Sequence, residues 1–289
     1  MDIIINSLTE WLKEILVSGI VHNLTGLFDD VNQKVRDIAG QVGTTPSAWN
    51  GSIYTMIRRL SDTVILPIAG LILAFVMTLE LIQIISDRNN MNDIGFITIF
   101  RWVFKTSCAV LIVSNTWNII MGVFDAAQSI VSSSSGVIVG DTDIRIDSIM
   151  TNLEARLSEM NVGQLLGLWF QSLFVGISMW VLSVCIFIIV YGRMLEIYVV
   201  TSAAPIPMAT ITSRDGGHMG QNYLRSLAAL GLQAFLIMVC VAIYAALVQH
   251  IPTADSISYA MWTSMGYTVL LAFSLFRTGN LARMIMGAQ

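Results

Sequence analysis

Several uninterrupted apolar runs, each long enough to cross a lipid bilayer, constrain this chain more than any other feature. The strongest, Leu165 to Tyr191, contains no Asp, Glu, Lys or Arg, and neither do Leu227 to Val248 and Tyr259 to Phe276. Val64 to Ile85 contains one such residue, Glu80, and Pro67 sits in its first turn, where a missing N–H costs least. About 20 helical residues cross a hydrocarbon core of roughly 30 Å. A weaker run, Trp102 to Phe124, is interrupted by Lys105, Asn115 and Asn118, which favours a protein-facing over a lipid-facing position. The 289 residues are 55% hydrophobic and 12% charged. Soluble domains carry about 25% charged residues, so too little polar surface remains here to cover a water-facing exterior.

These runs predict an all-α, polytopic integral membrane protein with about five transmembrane helices. Residues 1–63 form an N-terminal region outside the bilayer. There Ile5, Leu8, Leu12, Ile15 and Gly19 recur at helical spacing, with Trp11 where an interfacial anchor belongs. That helix either packs on its own protein or lies on the membrane surface. Val31, Val35 and Ile38 predict a second short helix, and the turn-rich stretch Gly40 to Gly51 ends the pattern. Residues 64–124 form the first hairpin, closed by the polar turn Ser86 to Asp93. Residues 125–163 form an acidic connection containing Asp141, Asp143, Asp147, Glu154 and Glu159, and residues 164–289 form the remaining core.

Met194 to Ile211 is apolar but contains Glu196, Thr201, Ser202, Pro205 and Pro207. Two prolines remove two backbone donors, and irregular backbone survives at membrane depth only under protein or water. Read as a proline-broken re-entrant or interfacial segment within a cytoplasmic stretch 192–226, it brings Arg88, Arg101, Arg193, Arg214, Arg225, Arg277 and Arg283 to the cytoplasmic side. The acidic connection, the turn His250 to Ser258 and the N-terminus then lie outside, with Arg58 and Arg59 as exceptions. The rival arrangement makes residues 194–211 a kinked sixth span.

An ionisable side chain within a span costs about 2.5–3.5 kcal/mol, so it needs a partner or water. Glu80 and Lys105 lie at similar depth on the two arms of the hairpin and are expected to pair. Such a pair either braces the hairpin or lines a polar path. Arg193 and Glu196, three residues apart, are expected to form a local helical pair. The string RDGGHMGQ, Arg214 to Gln221, lacks both the GxGxxG spacing and the GK[ST] ending and reads as a flexible cytoplasmic loop. His22, His218 and His250 are isolated, and Cys108, Cys185 and Cys240 sit in separate apolar runs. No catalytic, cofactor or metal site is expected. Small-xxx-small pairs at Gly163/Gly167, Ser172/Gly176 and Ala242/Ala246 allow close helix approach.

Five stretches together carry a family resemblance: DTVILPIAGLILAFVMTLELIQ (62–83), IVSNTWNIIMGVFD (112–125), GLWFQSLFVG (167–176), YGRMLEIYVVTSAAPIPMAT (191–210) and GQNYLRSLAALGLQAFLI (220–237). The chain resembles the TrbL-type membrane subunit of conjugative type IV secretion systems, in the version carried by integrative conjugative elements of Gram-positive bacteria. The resemblance implies a non-enzymatic, pore-forming subunit of a channel moving DNA and protein across the cell membrane. It implies a homo-oligomeric ring in lipid, beside a conjugation ATPase and other channel subunits, with transient passage of single-stranded DNA or protein. It also makes Arg193, Glu196, Pro205, Pro207 and Arg214 a contact for neighbouring subunits or cytoplasmic partners, and Asp125 to Gly163 a contact for substrate or external components. Broken helices with paired charges also fit a stand-alone small-molecule transporter or ion channel, although no inverted repeat relates the two halves.

Overall fold

In lipid a single segment can satisfy its own backbone amides only as a helix, and helix accounts for nearly all of the described residues. The computed structural model describes residues 2–86, 96–141, 147–214, 216–249 and 257–288. Residues 87–93 of the first turn, 250–256 of the last, and Asp143 and Arg145 of the acidic connection lie outside the described residues. In chain order the elements are α1 (Asp2–Val42), α2 (Pro46–Trp49), α3 (Gly51–Leu60), a π-helical turn (Ser61–Ile65), α4 (Leu66–Ser86), α5 (Phe96–Ser114) and α6 (Thr116–Asp141). They continue with α7 (Asp147–Ser158), α8 (Val162–Ser202), α9 (Pro205–Thr210), α10 (Gly217–Gln249) and α11 (Ile257–Met286). Among the described residues, five helices are long and apolar enough to cross a membrane: Gly51–Ser86, Phe96–Ser114, Val162–Ser202, Gly217–Gln249 and Ile257–Met286. The chain is a multi-pass, all-α membrane protein.

Several boundaries differ from those read in the sequence. The N-terminal region is one helix to Val42, with no break before Val31. The helix of the first span starts at Gly51, well before Val64. Asn50 caps it by accepting from the Ile53 amide at 3.0 Å, and only the π turn interrupts it at Ser61–Ile65. The second span ends at Ser114. There Asn115 donates to Leu111 O at 2.9 Å, and Thr116 reaches Ile112 O at 3.1 Å and Val113 O at 2.9 Å. Side chains that compete for helix carbonyls in this way bend or break the ladder. The acidic connection is largely helical, belonging to α6 as far as Asp141 and to α7 from Asp147. Met194 to Ser202 continues α8, which at 41 residues is about 60 Å long. The kinked sixth span is not formed: α9 has six residues, about 9 Å.

The chain divides into two units. The first comprises Met1–Val42, Val131–Val190 and Leu236–Thr278. Within it α1 buries Leu16, Ile20 and Leu24, one face at i, i+4 and i+8. The expected stripe is therefore displaced, since Leu8 and Ile15 are exposed and Leu12 is half-buried. Trp169 and Ser172 select the face that packs. A Cβ on Gly19 would come within 2.9 Å of the Trp169 indole nitrogen, and Asn23 donates to Ser172 Oγ at 2.7 Å. Tyr244 and Thr268 share a hydroxyl bond at 3.1 Å, and Ser258 donates to Gln171 Oε1 at 2.7 Å. Between lipid-solvated helices the hydrophobic drive is lost, and packing with such polar bonds takes its place.

The second unit comprises Gly43–Ile130, Tyr191–Phe235 and Gly279–Gln289. One core gathers Trp117, Ile120, Met121 and Phe124 of α6 with Met194 and Ile197 of α8, Ala204, and Leu227 and Leu230 of α10. Another gathers Ala69, Leu73 and Met77 of α4, Ala109 and Val113 of α5, and Ala209 of α9.

Candidate functional site

The sequence residues singled out above converge on the second unit, around the break between α8 and α10. Pro205 and Pro207 cannot donate to the helix ladder, so α8 ends and the chain turns. Short-range bonds take over: Ala204 N to Thr201 O and Ile206 N to Ala203 O, both 3.2 Å, then Ser213 N to Thr210 O at 2.9 Å. Thr210 Oγ1 donates to Pro207 O at 2.8 Å. Pro205 is buried, Pro207 half-buried and Arg214 exposed.

Protein covers α9 on two sides. Ala209 inserts among the small and apolar residues of α4 and α5, so the hairpin grips one side. The first turn of α10 closes the other. A Cβ on Gly220 would lie 2.7 Å from Pro207 O and 2.8 Å from Ile211 Cβ, and one on Gly217 would lie 3.0 Å from Ile211 O. Only glycine permits that approach. Gly217 to Gln221 is thus the first turn of α10, packed as a seam at Gly217 and Gly220, and not part of the expected flexible loop. By contrast, nothing lies within 4 Å of a Cβ built on Gly167 or Gly176, two of the small-xxx-small positions.

Two cross-helix ion pairs flank this seam. Lys105 of α5 donates to Glu80 Oε1 of α4, and the neighbouring Trp102 donates its indole N–H to Met77 O at 3.1 Å. Glu80 Oε2 is buried without a hydrogen-bond partner. Arg193 is buried, while Glu196 accepts from Arg283 at the far end of α11. That partner is 87 residues away and invisible to local spacing. Together the seam and the Glu196–Arg283 pair bring the end of α8, the start of α10 and the end of α11 into one place.

An aromatic clamp, unforeseen from the sequence, fixes the same end of α8. Tyr198 donates to Pro46 O. Trp49 packs edge-on to Tyr191 with ring centroids 5.5 Å apart, and Trp117 donates to Tyr54 OH at 2.9 Å. The turn-forming Thr45-Pro46 and Asn50-Gly51 caps position Trp49 and Tyr54 for these contacts. In chemical terms the arrangement joins helices. Among the described residues no three His, Cys, Asp or Glu side chains gather as a metal site.

Residues 31–205 match the family model described as TrbL/VirB6 plasmid conjugal transfer like protein. The chain belongs to this TrbL/VirB6 family. No curated protein and no solved structure matches it. Family membership makes the chain a component of conjugal transfer, that is, of type IV secretion. The TrbL/VirB6 match takes in the hairpin with Glu80 and Lys105, all of α8 with Arg193 and Glu196, and ends at Pro205. Pro207, Arg214, the α10 glycines and Arg283 lie beyond it, so the seam joins matched to unmatched sequence.

Proposed function

We propose that this TrbL/VirB6-family chain is a structural, pore-forming subunit of a conjugative type IV secretion channel, without catalytic activity of its own. The single observation that carries the reading is the clasp around α9. Broken backbone is enclosed by a hairpin and a neighbouring helix, and charges pair across helices. Such a construction suits a rigid piece of a larger assembly. In this reading several copies form a ring beside the conjugation ATPase and other subunits, and single-stranded DNA or protein passes through. The N-terminus and the acidic connection face outward, while α9, the start of α10 and the C-terminus face the cytoplasm. That orientation is supported by Arg193, Arg214, Arg225, Arg277 and Arg283 near these ends, since basic residues beside short loops stay inside.

The test is an in-frame deletion in a donor cell, with the gene resupplied in trans. Transfer of the element is expected to be lost while its excision continues, and the resupplied gene is expected to restore transfer. Undiminished mating frequency in the deletion strain contradicts the proposal.

A further inference from the structure

The helix that leads into the first span has two unlike faces. α3 turns Tyr54 and Ile57 onto the core that holds Trp117, Ala204 and Leu227. Its other face shows Ser52, Thr55, Met56, Arg59 and Leu60, all exposed, and a cleft of about 720 Å³ opens against them and Thr63. The two adjacent arginines differ in their pairing. Arg58 reaches Asp62 at 3.6 Å, whereas the Arg59 guanidinium has no ion pair among the described residues. Further along the chain the exposed residues turn apolar. Leu60, Val64, Ile68, Leu71 and Phe75 form one stripe through the π turn and down α4, on the side away from the buried Ala69, Leu73 and Met77.

Depth assigns the cleft to the lipid headgroups. The run Val64 to Ile85 rises about 33 Å and fills a hydrocarbon core of roughly 30 Å. Arg59 precedes it by about 7.5 Å of helix, and the headgroup layer adds roughly 5–7.5 Å on each side of the core. The stripe from Leu60 to Phe75 is about 22 Å long, more than the roughly 15 Å of one leaflet's hydrocarbon, so an acyl chain can follow it. Chemistry assigns the charge. A guanidinium offers paired donors to phosphate oxygens. Helical side chains lean toward the N-terminus, which carries Arg59 toward Thr55 and the Ser52 hydroxyl on the same face. Thr55 and Thr63 already donate to Gly51 O and Arg59 O, both at 2.7 Å, which leaves their oxygens as acceptors for headgroup hydroxyls. A zwitterionic headgroup would bring a cation of its own, and the neighbouring carboxylate, Asp62, is engaged by Arg58. We propose that this face of α3 binds one anionic phospholipid, with Arg59 on the phosphate and an acyl chain along Leu60, Val64 and Ile68. The site requires only a membrane and stands apart from the channel reading above.

The test titrates the full chain, purified in detergent, with phosphatidylglycerol or with phosphatidylcholine of the same acyl chains, and counts bound lipid by native mass spectrometry. The wild type is expected to retain one phosphatidylglycerol in preference to phosphatidylcholine. Arg59→Gln is expected to weaken that retention about tenfold or more, the loss that follows from removing a charge-assisted bond to phosphate. Arg59→Lys, which keeps the charge but not the paired donors, is expected to retain part of it. Arg59 is exposed, so both variants leave the core of the unit intact. Equal retention of phosphatidylglycerol by the wild type and Arg59→Gln overturns the proposal, as does equal retention of the two lipids by the wild type. Displacement of the lipid by an equal concentration of inorganic phosphate or of a single-stranded oligonucleotide also overturns it, because the cleft would then hold phosphate without help from the apolar stripe. Mating frequency in the deletion strain decides the channel reading separately.

Discussion

The two cross-helix ion pairs have the same chemistry in different settings. Glu80–Lys105 ties adjacent arms of one hairpin, with side chains 13% and 36% exposed. Glu196–Arg283 ties α8 to α11, and its side chains are 38% and 52% exposed. The enclosed pair also carries a buried carboxylate oxygen without a second partner, so its charge leans on one lysine. The open pair is exposed at both of its side chains. Enclosure, more than the ion pair as such, decides what each contributes. A buried charge that loses its partner is stranded, whereas an exposed one is rehydrated and screened.

The comparison is sharpened most by removing one member of the enclosed pair. Lys105→Met strands Glu80 in the hairpin and is expected to destabilise the protein by about 3–5 kcal/mol. Thermal unfolding in detergent and the amount of membrane-inserted protein both report this loss. A change below about 1 kcal/mol would place the pair with ordinary surface bridges and break the contrast. The smaller effect belongs to the open pair. Arg283→Ala is expected to cost about 0–1 kcal/mol, and high salt is expected to erase the difference from wild type. A larger loss that persists in salt would mean Glu196–Arg283 is the true clamp between α8 and α11.

The legible parts of this fold share a physical cause: the signal was local. Long apolar runs, charge-free except for Glu80 in the first, announced the spans of α4, α8, α10 and α11. Two prolines two residues apart announced the break at α9. Glu80 and Lys105 stood out because each interrupts an apolar run, and the structure brings them into contact. What stayed hidden depended on partners distant in sequence. The packed face of α1, Leu16, Ile20 and Leu24, was chosen by Trp169 and Ser172 over the equally apolar Leu8 and Ile15. The glycines of Arg214 to Gln221 looked like slack because nothing local reveals that Pro207 O lies 2.7 Å from where a Cβ would stand. Asn115 read as a polar interruption within one span, yet α5 stops beside it, at Ser114, where its side chain donates to Leu111 O. Glu196 has Arg193 three residues away, but Arg283, 87 residues on, is what it bonds. The connection 125–163 read only as polar and acidic, while α6 carried its apolar face Ile120, Phe124 and Val131 straight into it.

Conjugal transfer by a charge-exchanged hairpin tests the central claim, that these polar groups brace a secretion subunit, most directly. In the deletion strain, resupply Glu80→Lys alone, Lys105→Glu alone, and the double exchange, and measure mating frequency for each. A brace predicts that both single reversals lose transfer and that the exchange restores it toward wild type. Full transfer by either single reversal, or none by a double exchange that inserts normally, contradicts it.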